Sequence, residues 1–302
     1  MSAFTTLLLR EWLQHRRGWL ALMLVPLVLA VLVLAFGKVN MEFDDLPPGQ
    51  LPDAMLLALM ACAVSAGATM AIMLAAAYMT TPGLARRDYQ DRSIEFWLSM
   101  PQGHVASLGA ALLMQLVLIP MLALAVGTLG GQLLALLLVA KTHGISAWAS
   151  LPLGSLVLAM LAVSLRLALG IALAALWLAP LVMLVMAACA WLKRWGLPVV
   201  VICVVTLGVV LDKAYQNTVV WTTLAGVMQN AGQALASANP GAPGLSIGPA
   251  DKSDVVLAMI PGWALQDAGH ALAALASMAF ALGLLLAAVG FGLMVLRRSR
   301  GA

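Results

Sequence analysis

Of the 302 residues, 63% are hydrophobic and 9% charged, against roughly 25% charged in an average soluble domain. That balance excludes a water-soluble globular protein and defines an all-α integral membrane protein, a single transmembrane domain over 1–302. The net charge of +4 does not mark nucleic-acid binding: the basic residues sit at the ends of apolar runs, and none forms a long patch mixed with aromatics. Cys62, Cys189 and Cys203 all lie in apolar runs without CxxC spacing, so they read as small buried residues rather than disulfide or metal partners.

Ser2–Arg17 is amphipathic, with Phe4, Leu8 and Trp12 recurring every four residues and Arg10, Glu11, Gln14 and Arg17 elsewhere. Such a helix suits the membrane interface. The run Trp19–Phe36 is longer than the ~7–15 apolar residues of a signal peptide, so it is the first span, with a kink expected at Pro26. A turn-forming loop, Lys38–Asp53, carries Glu42, Asp44, Asp45 and Asp53 and leads to the second span, Leu56–Ala77. The polar island Arg86–His104 follows. Within it Ile94, Trp97 and Leu98 fall at i, i+3 and i+4, the spacing of one helix face. Asp91 is placed to cap such a helix and Pro101 to end it.

Leu108–Val139 is the third span, and it exceeds what a bilayer of ~30 Å needs. It must tilt, project or bend at Pro120. Gly127-x-x-x-Gly131 within it permits close helix approach. Ser150–Ala190 reads either as two spans or as one helix broken near Arg166 or Pro180. The positive-inside rule selects one. Arg10, Arg16, Arg17, Arg86, Arg87, Arg92, Lys193, Arg194, Arg297, Arg298 and Arg300 then lie inside, and only Lys38, Lys141, Lys213 and Lys252 outside. Pro198–Leu211 is a short fifth span. The stretch 212–266 reads as an external loop, turn-rich at Asn239–Gly244 and flanked by two short apolar pieces, Val219–Met228 and Val255–Ile260. Leu272–Leu296 is the sixth span, with both termini inside. Trp148, Trp177, Trp191, Trp195, Trp221 and Trp263 mostly fall near the expected interfaces, as an aromatic belt would.

The chain contains no G-x-x-x-x-G-K-[ST], so no P-loop cradles nucleotide phosphates. No H-E-x-x-H occurs, and His15, His104, His143 and His270 lack ligand spacing. No catalytic constellation is legible, and an enzyme is not expected. Arg166 is the one basic residue deep in an apolar run, where a charge costs at least ~2.5–3.5 kcal/mol. It either snorkels to the outer headgroups or anchors a helix break, the favoured reading, or lines a pathway and meets an anionic substrate group. Asp267 and His270 carry the same ambiguity, with a solvated position favoured.

The run Asp91-Arg-Ser-Ile-Glu-Phe-Trp-Leu-Ser-Met-Pro resembles the cytoplasmic loop of bacterial ABC transporter permeases of the ABC-2 type. Arg10-Glu11-Trp12, Leu176-Trp177-Leu178-Ala179-Pro180 and Pro261-Gly262-Trp263 extend the resemblance more loosely over most of the chain. The resemblance implies six transmembrane helices in the bacterial cytoplasmic membrane. It implies an N-terminal elbow helix over 2–17, a coupling helix within 86–104, and re-entrant or interfacial segments before the last span. It also implies a permease subunit of an ATP-driven exporter, working as a homodimer or with a second permease. A separate ATP-binding subunit would hold ATP and Mg, and no cofactor is expected in this chain. Arg92, Ile94, Glu95, Trp97 and Leu98 would then couple to that ATPase. The competing role for Trp97 is a headgroup anchor. An ATP-independent transporter or channel-like protein is the alternative class, which usually shows repeats and buried acids. Neither is legible here. Cargo identity does not follow from the sequence, although the scarcity of charge in the spans leans toward an apolar or amphipathic one.

Overall fold

The structure is a computed structural model, in which residues 3–37, 53–90, 104–236 and 253–299 are described. Among them there is no strand, and the chain is an all-α, multi-pass membrane protein. Five helical stretches are long and apolar enough to cross a bilayer: Phe4–Phe36, Ala54–Leu84, Val105–Thr142, Leu153–Tyr215 and Met278–Arg297.

Helix α1 runs unbroken over Ala3–Phe36, so the amphipathic segment is not a separate elbow but the continuation of the first span. Arg16-Arg17-Gly18 contains no proline, and a single helical glycine costs only ~1 kcal/mol. Pro26 sits inside the helix. At the C-terminal end of α1 the last carbonyls lack intrahelical donors. Lys141 supplies them, its Nζ donating to the carbonyls of Leu34 at 2.8 Å and Gly37 at 2.5 Å.

Helix α2, Ala54–Gln90, carries the second span past Pro82 into the first residues of the polar island. The chain returns as α3, His104–Leu113, a π-helical turn at Met114–Leu118, and α4, Ile119–Thr142. The π turn lies just ahead of Pro120, where an α-helix would lose a hydrogen bond and meet the proline ring. The bend expected at that proline is thus absorbed by a wider turn. α2 and α4 pack antiparallel at backbone distance. A Cβ on Gly127 would stand 2.9 Å from Ala66 Cα, and one on Gly131 would stand 2.8 Å from Cys62 Cα. Ser65 Oγ donates to the Gly127 carbonyl at 2.8 Å, sealing the seam that the glycine pair opens.

After a short helix α5, Ile145–Ser150, the chain forms α6, Leu153–Leu192. The one-helix reading of this region holds, but the break expected at Arg166 or Pro180 is absent. Arg166 is satisfied inside the protein, as described below, so the helix has no need to open there. α6 ends at Lys193, whose φ is 56°, and a 3₁₀ turn over Lys193–Trp195 leads to α7, Gly196–Tyr215. At 20 residues α7 is longer than the fifth span expected, because Gly196 and Leu197 precede it and Asp212–Tyr215 prolong it.

Within 212–266 the described residues are helical except at Gln216–Thr218, not the loop expected from the sequence. The two apolar pieces of that stretch belong to α8, Val219–Ala236, and α9, Ser253–Ala273. On α9, Leu257, Ile260, Ala264, Asp267 and Ala271 are all buried, spaced three and four apart as one packed helix face requires. The last helix, α10, spans Met278–Ser299 and starts later than expected. A 3₁₀ turn at Ala274–Ala276 and an extended Ser277 separate it from α9, and Ser277 Oγ accepts from the Phe280 amide at 3.3 Å. That is an N-cap.

α6 is the axis of the fold. α9 and α10 follow it in the same direction: Leu257 and Ile260 cluster with Leu156 and Ala159, and Phe280 meets Trp177. Further along, Gly290 lies against Met183. α8 runs the other way, its Ala234 beside Arg166 and Gly170.

Candidate functional site

Two features of the bundle around α6 carry chemistry. The first is a buried charge pair. Arg166 and Asp267 are 3% and 1% exposed, and charged groups so enclosed need partners. Arg166 Nε donates to Asp267 Oδ2 at 2.7 Å, and Nη2 lies 2.6 Å from the same oxygen, off the line of a hydrogen bond. Nη1 donates to the Ala234 carbonyl at 2.9 Å. The guanidinium therefore ties α6, α8 and α9 together at one point. Gly170 makes room, since a Cβ there would come within 2.7 Å of the Leu235 carbonyl and 3.0 Å of Arg166 Nη1.

This placement corrects two expectations. Arg166 does not snorkel, because a partner is nearer than the headgroups, and it lines neither cavity described here. Asp267 is not solvated, whereas His270, one turn further on, is exposed. The signal for Asp267 was present in the sequence: it stands three residues after Ala264 and four before Ala271, in line with the apolar face of α9. An acid in that line calls for a buried base, and Arg166 is the basic residue within an apolar run.

The second feature is an apolar cavity of about 650 Å³ between α6, α8 and α10, within the usual size range of small-molecule sites. Trp177 and Leu184 form one wall, Leu286 and Gly290 another, and Thr222 and Asn230 of α8 the third. Thr222 spends its hydroxyl on the Thr218 and Val219 carbonyls. No described residue bonds the Asn230 carboxamide, leaving it as the polar group toward the Trp177 end. Trp177 is buried, not part of an interfacial belt, and stands edge-on to Phe280 with ring centroids 5.2 Å apart. The cavity can accept an apolar or amphipathic body and offers it one amide.

The expected coupling residues, Arg92, Ile94, Glu95, Trp97 and Leu98, lie outside the described residues. The structure does place what flanks them: α2 runs to Gln90 and α3 starts at His104, so two long helices lead into and out of that segment. Among the described residues no three His, Cys, Asp or Glu side chains gather as metal ligands.

Comparisons of the chain with family models, with curated proteins and with solved structures found no match.

Proposed function

We propose that the chain is the membrane-spanning subunit of an ATP-driven exporter of the ABC-2 type, in a bacterial cytoplasmic membrane. It crosses the bilayer six times with both termini inside. Two copies, or one copy and a second permease, enclose the pathway, and a separate subunit binds ATP and Mg. The observation that carries this reading is the segment Asp91–Pro101, with its apolar triplet Ile94, Trp97 and Leu98 between charged Arg92 and Glu95. A helix of two or three turns does not persist alone in water, and this one would expose a tryptophan. Seating it in a partner removes that face from water at roughly 25 cal/mol per Å². The large apolar cavity supports an apolar or amphipathic cargo.

The test is purification in mild detergent followed by identification of copurifying ATPase. Trp97→Ala combined with Leu98→Ala is expected to insert normally but lose that partner or its stimulated hydrolysis, since a central tryptophan is worth ~2 kcal/mol or more at such an interface. Normal copurification and normal stimulation in the double variant would leave Trp97 as a headgroup anchor and overturn the coupling role.

A second reading, an ATP-independent transporter, is favoured by one observation: Asp267 is a buried acid beside a buried base, the kind of group through which such proteins couple ions. Uptake by reconstituted vesicles without nucleotide would select it over the exporter.

A further inference from the structure

Three irregularities of the bundle fall at one height. In α2, Pro82 cannot donate to the Tyr78 carbonyl. Just before it, Thr80 and Thr81 turn their hydroxyls back onto their own helix: Thr81 Oγ1 donates to the Ala77 carbonyl at 2.6 Å and Thr80 Oγ1 to the Ala76 carbonyl at 2.8 Å. Back-bonding of this kind bends helices. Opposite lies the π turn Met114–Leu118, a single-turn widening of the sort frequently found at functional sites. The two are clasped by Gln115, a buried side chain whose Nε2 donates to the Ala77 carbonyl at 2.9 Å and also to Thr80 Oγ1. Gly83 follows Pro82, and nothing stands within 4 Å of where its Cβ would be, so close packing does not account for that glycine.

Beside this joint is empty space. A cavity of about 360 Å³ separates Tyr78, Thr81 and Pro82 of α2 from Leu178, Val182 and Val185 of α6. This space is a groove open on one side, so the proline bend of α2 is not packed solid against α6 there and has room to move. We infer that Pro82 and the π turn are paired pivots. The segments beyond them, Gly83–Gln90 and His104–Leu113, swing toward or away from α6, the second together with the ends of α1 and α10 that pack on it through Leu7 and Met294, while Gln115 keeps the two pivots level. This inference rests on the exporter reading for what drives the swing, since the moving unit carries the segment proposed to meet the ATPase. The pivots themselves rest on the helix geometry alone.

The size of the motion follows from the lever. Val105 is eight residues from Leu113, about 12 Å at 1.5 Å per residue. A kink of ~20°, the threshold of a sharp helix bend, displaces its end by about 4 Å. The experiment is pulsed electron–electron distance measurement on the full chain in lipid nanodiscs. Cys62, Cys189 and Cys203 are replaced by alanine, and nitroxides are attached after Val105→Cys with Leu192→Cys. Val64→Cys with Leu161→Cys, above the pivots, is the reference pair. The lower pair is expected to show two distances about 4 Å apart and the reference pair one. Deleting Val117, which removes the extra residue of the π turn, together with Pro82→Ala is expected to leave one distance in the lower pair. Gln115→Leu, which keeps the volume and removes the clasp, is expected to broaden the lower pair and spare the reference.

A single lower-pair distance as narrow as the reference would overturn the pivots, as would two distances that survive the deletion and the proline change unaltered. A preparation that binds an ATPase yet keeps the lower pair static would sink the pivots and spare the exporter reading. Two lower-pair distances in a chain that binds no ATPase would do the reverse.

Discussion

At the scale of single residues, the charge pair of Arg166 and Asp267 sets the terms. Removing one member of a buried pair typically costs 3–5 kcal/mol, because the other charge is left without a partner, whereas replacing both by apolar groups is often neutral or stabilising. Asp267→Ala and Arg166→Ala are therefore each expected to lower the unfolding temperature of the purified protein markedly. Arg166→Met with Asp267→Leu is expected to recover most of the loss. Melting curves of the two single variants and the double variant in one detergent check this. Additive losses would mean that the two side chains do not depend on each other. The sequence pointed to Arg166 as an anomaly but offered the wrong resolution, because the partner lies 101 positions away in a stretch whose glycines, alanines and amides read as a loop. Ala231, Ala234, Ala264 and Ala271 are buried, and small residues of that kind let helices approach closely. Hydropathy alone gives such positions little weight.

At the scale of helices, glycines divide by what surrounds them. A side chain at Gly131 collides with the backbone at Cys62, and overpacking of this kind costs ~1–3 kcal/mol. Gly83 lies in a helix with open space around it, and there alanine is expected to gain ~0.5–1 kcal/mol from the lost backbone freedom of the unfolded chain. Gly131→Val should thus lower the melting temperature and Gly83→Ala hold or raise it. Equal effects of the same sign would refute the close-approach account of the α2–α4 seam. The apolar runs announced α1, α2, α4, α6 and α10 because each has a stretch apolar enough to span. Their ends were less legible. α2 and α3 reach into polar sequence, where continuation depends on tertiary support that a hydropathy window does not see. The π turn left only Pro120 as its trace.

At the scale of the molecule, the outer surface is that of a protein bathed in hydrocarbon. In the most apolar window of α1 only 11% is buried, and in that of α10 only 17%, with Val25, Leu29 and Val33 more than half exposed. At roughly 25 cal/mol per Å², such a face would be untenable in water. α6, with 40 residues, is about 60 Å long. Even a 40° tilt brings only about 40 Å of it within a ~30 Å core, so it projects beyond the hydrocarbon. The direction of crossing proposed from the arginines can be tested directly. In a background without native cysteines, Asp45→Cys and Asp251→Cys are expected to react with an impermeant thiol reagent in intact cells, and Gln90→Cys only after the cells are opened. Labelling of the Gln90 site in intact cells would invert the topology or change the number of spans.

The separation of Arg166 from Asp267 along the chain also has a meaning in time. At ~5–20 residues per second of synthesis, the 101 residues between them take roughly 5–20 s to emerge. For that interval α6 has a guanidinium without its carboxylate: the Ala234 carbonyl of α8 follows 68 positions after Arg166, and Asp267 of α9 only after 101. The newborn helix is held only by the apolarity of its other residues, against the ~2.5–3.5 kcal/mol that a central arginine costs at insertion. A chain that ends between Arg166 and Asp267 keeps the buried base without its acid, and one that passes Asp267 has both members of the pair.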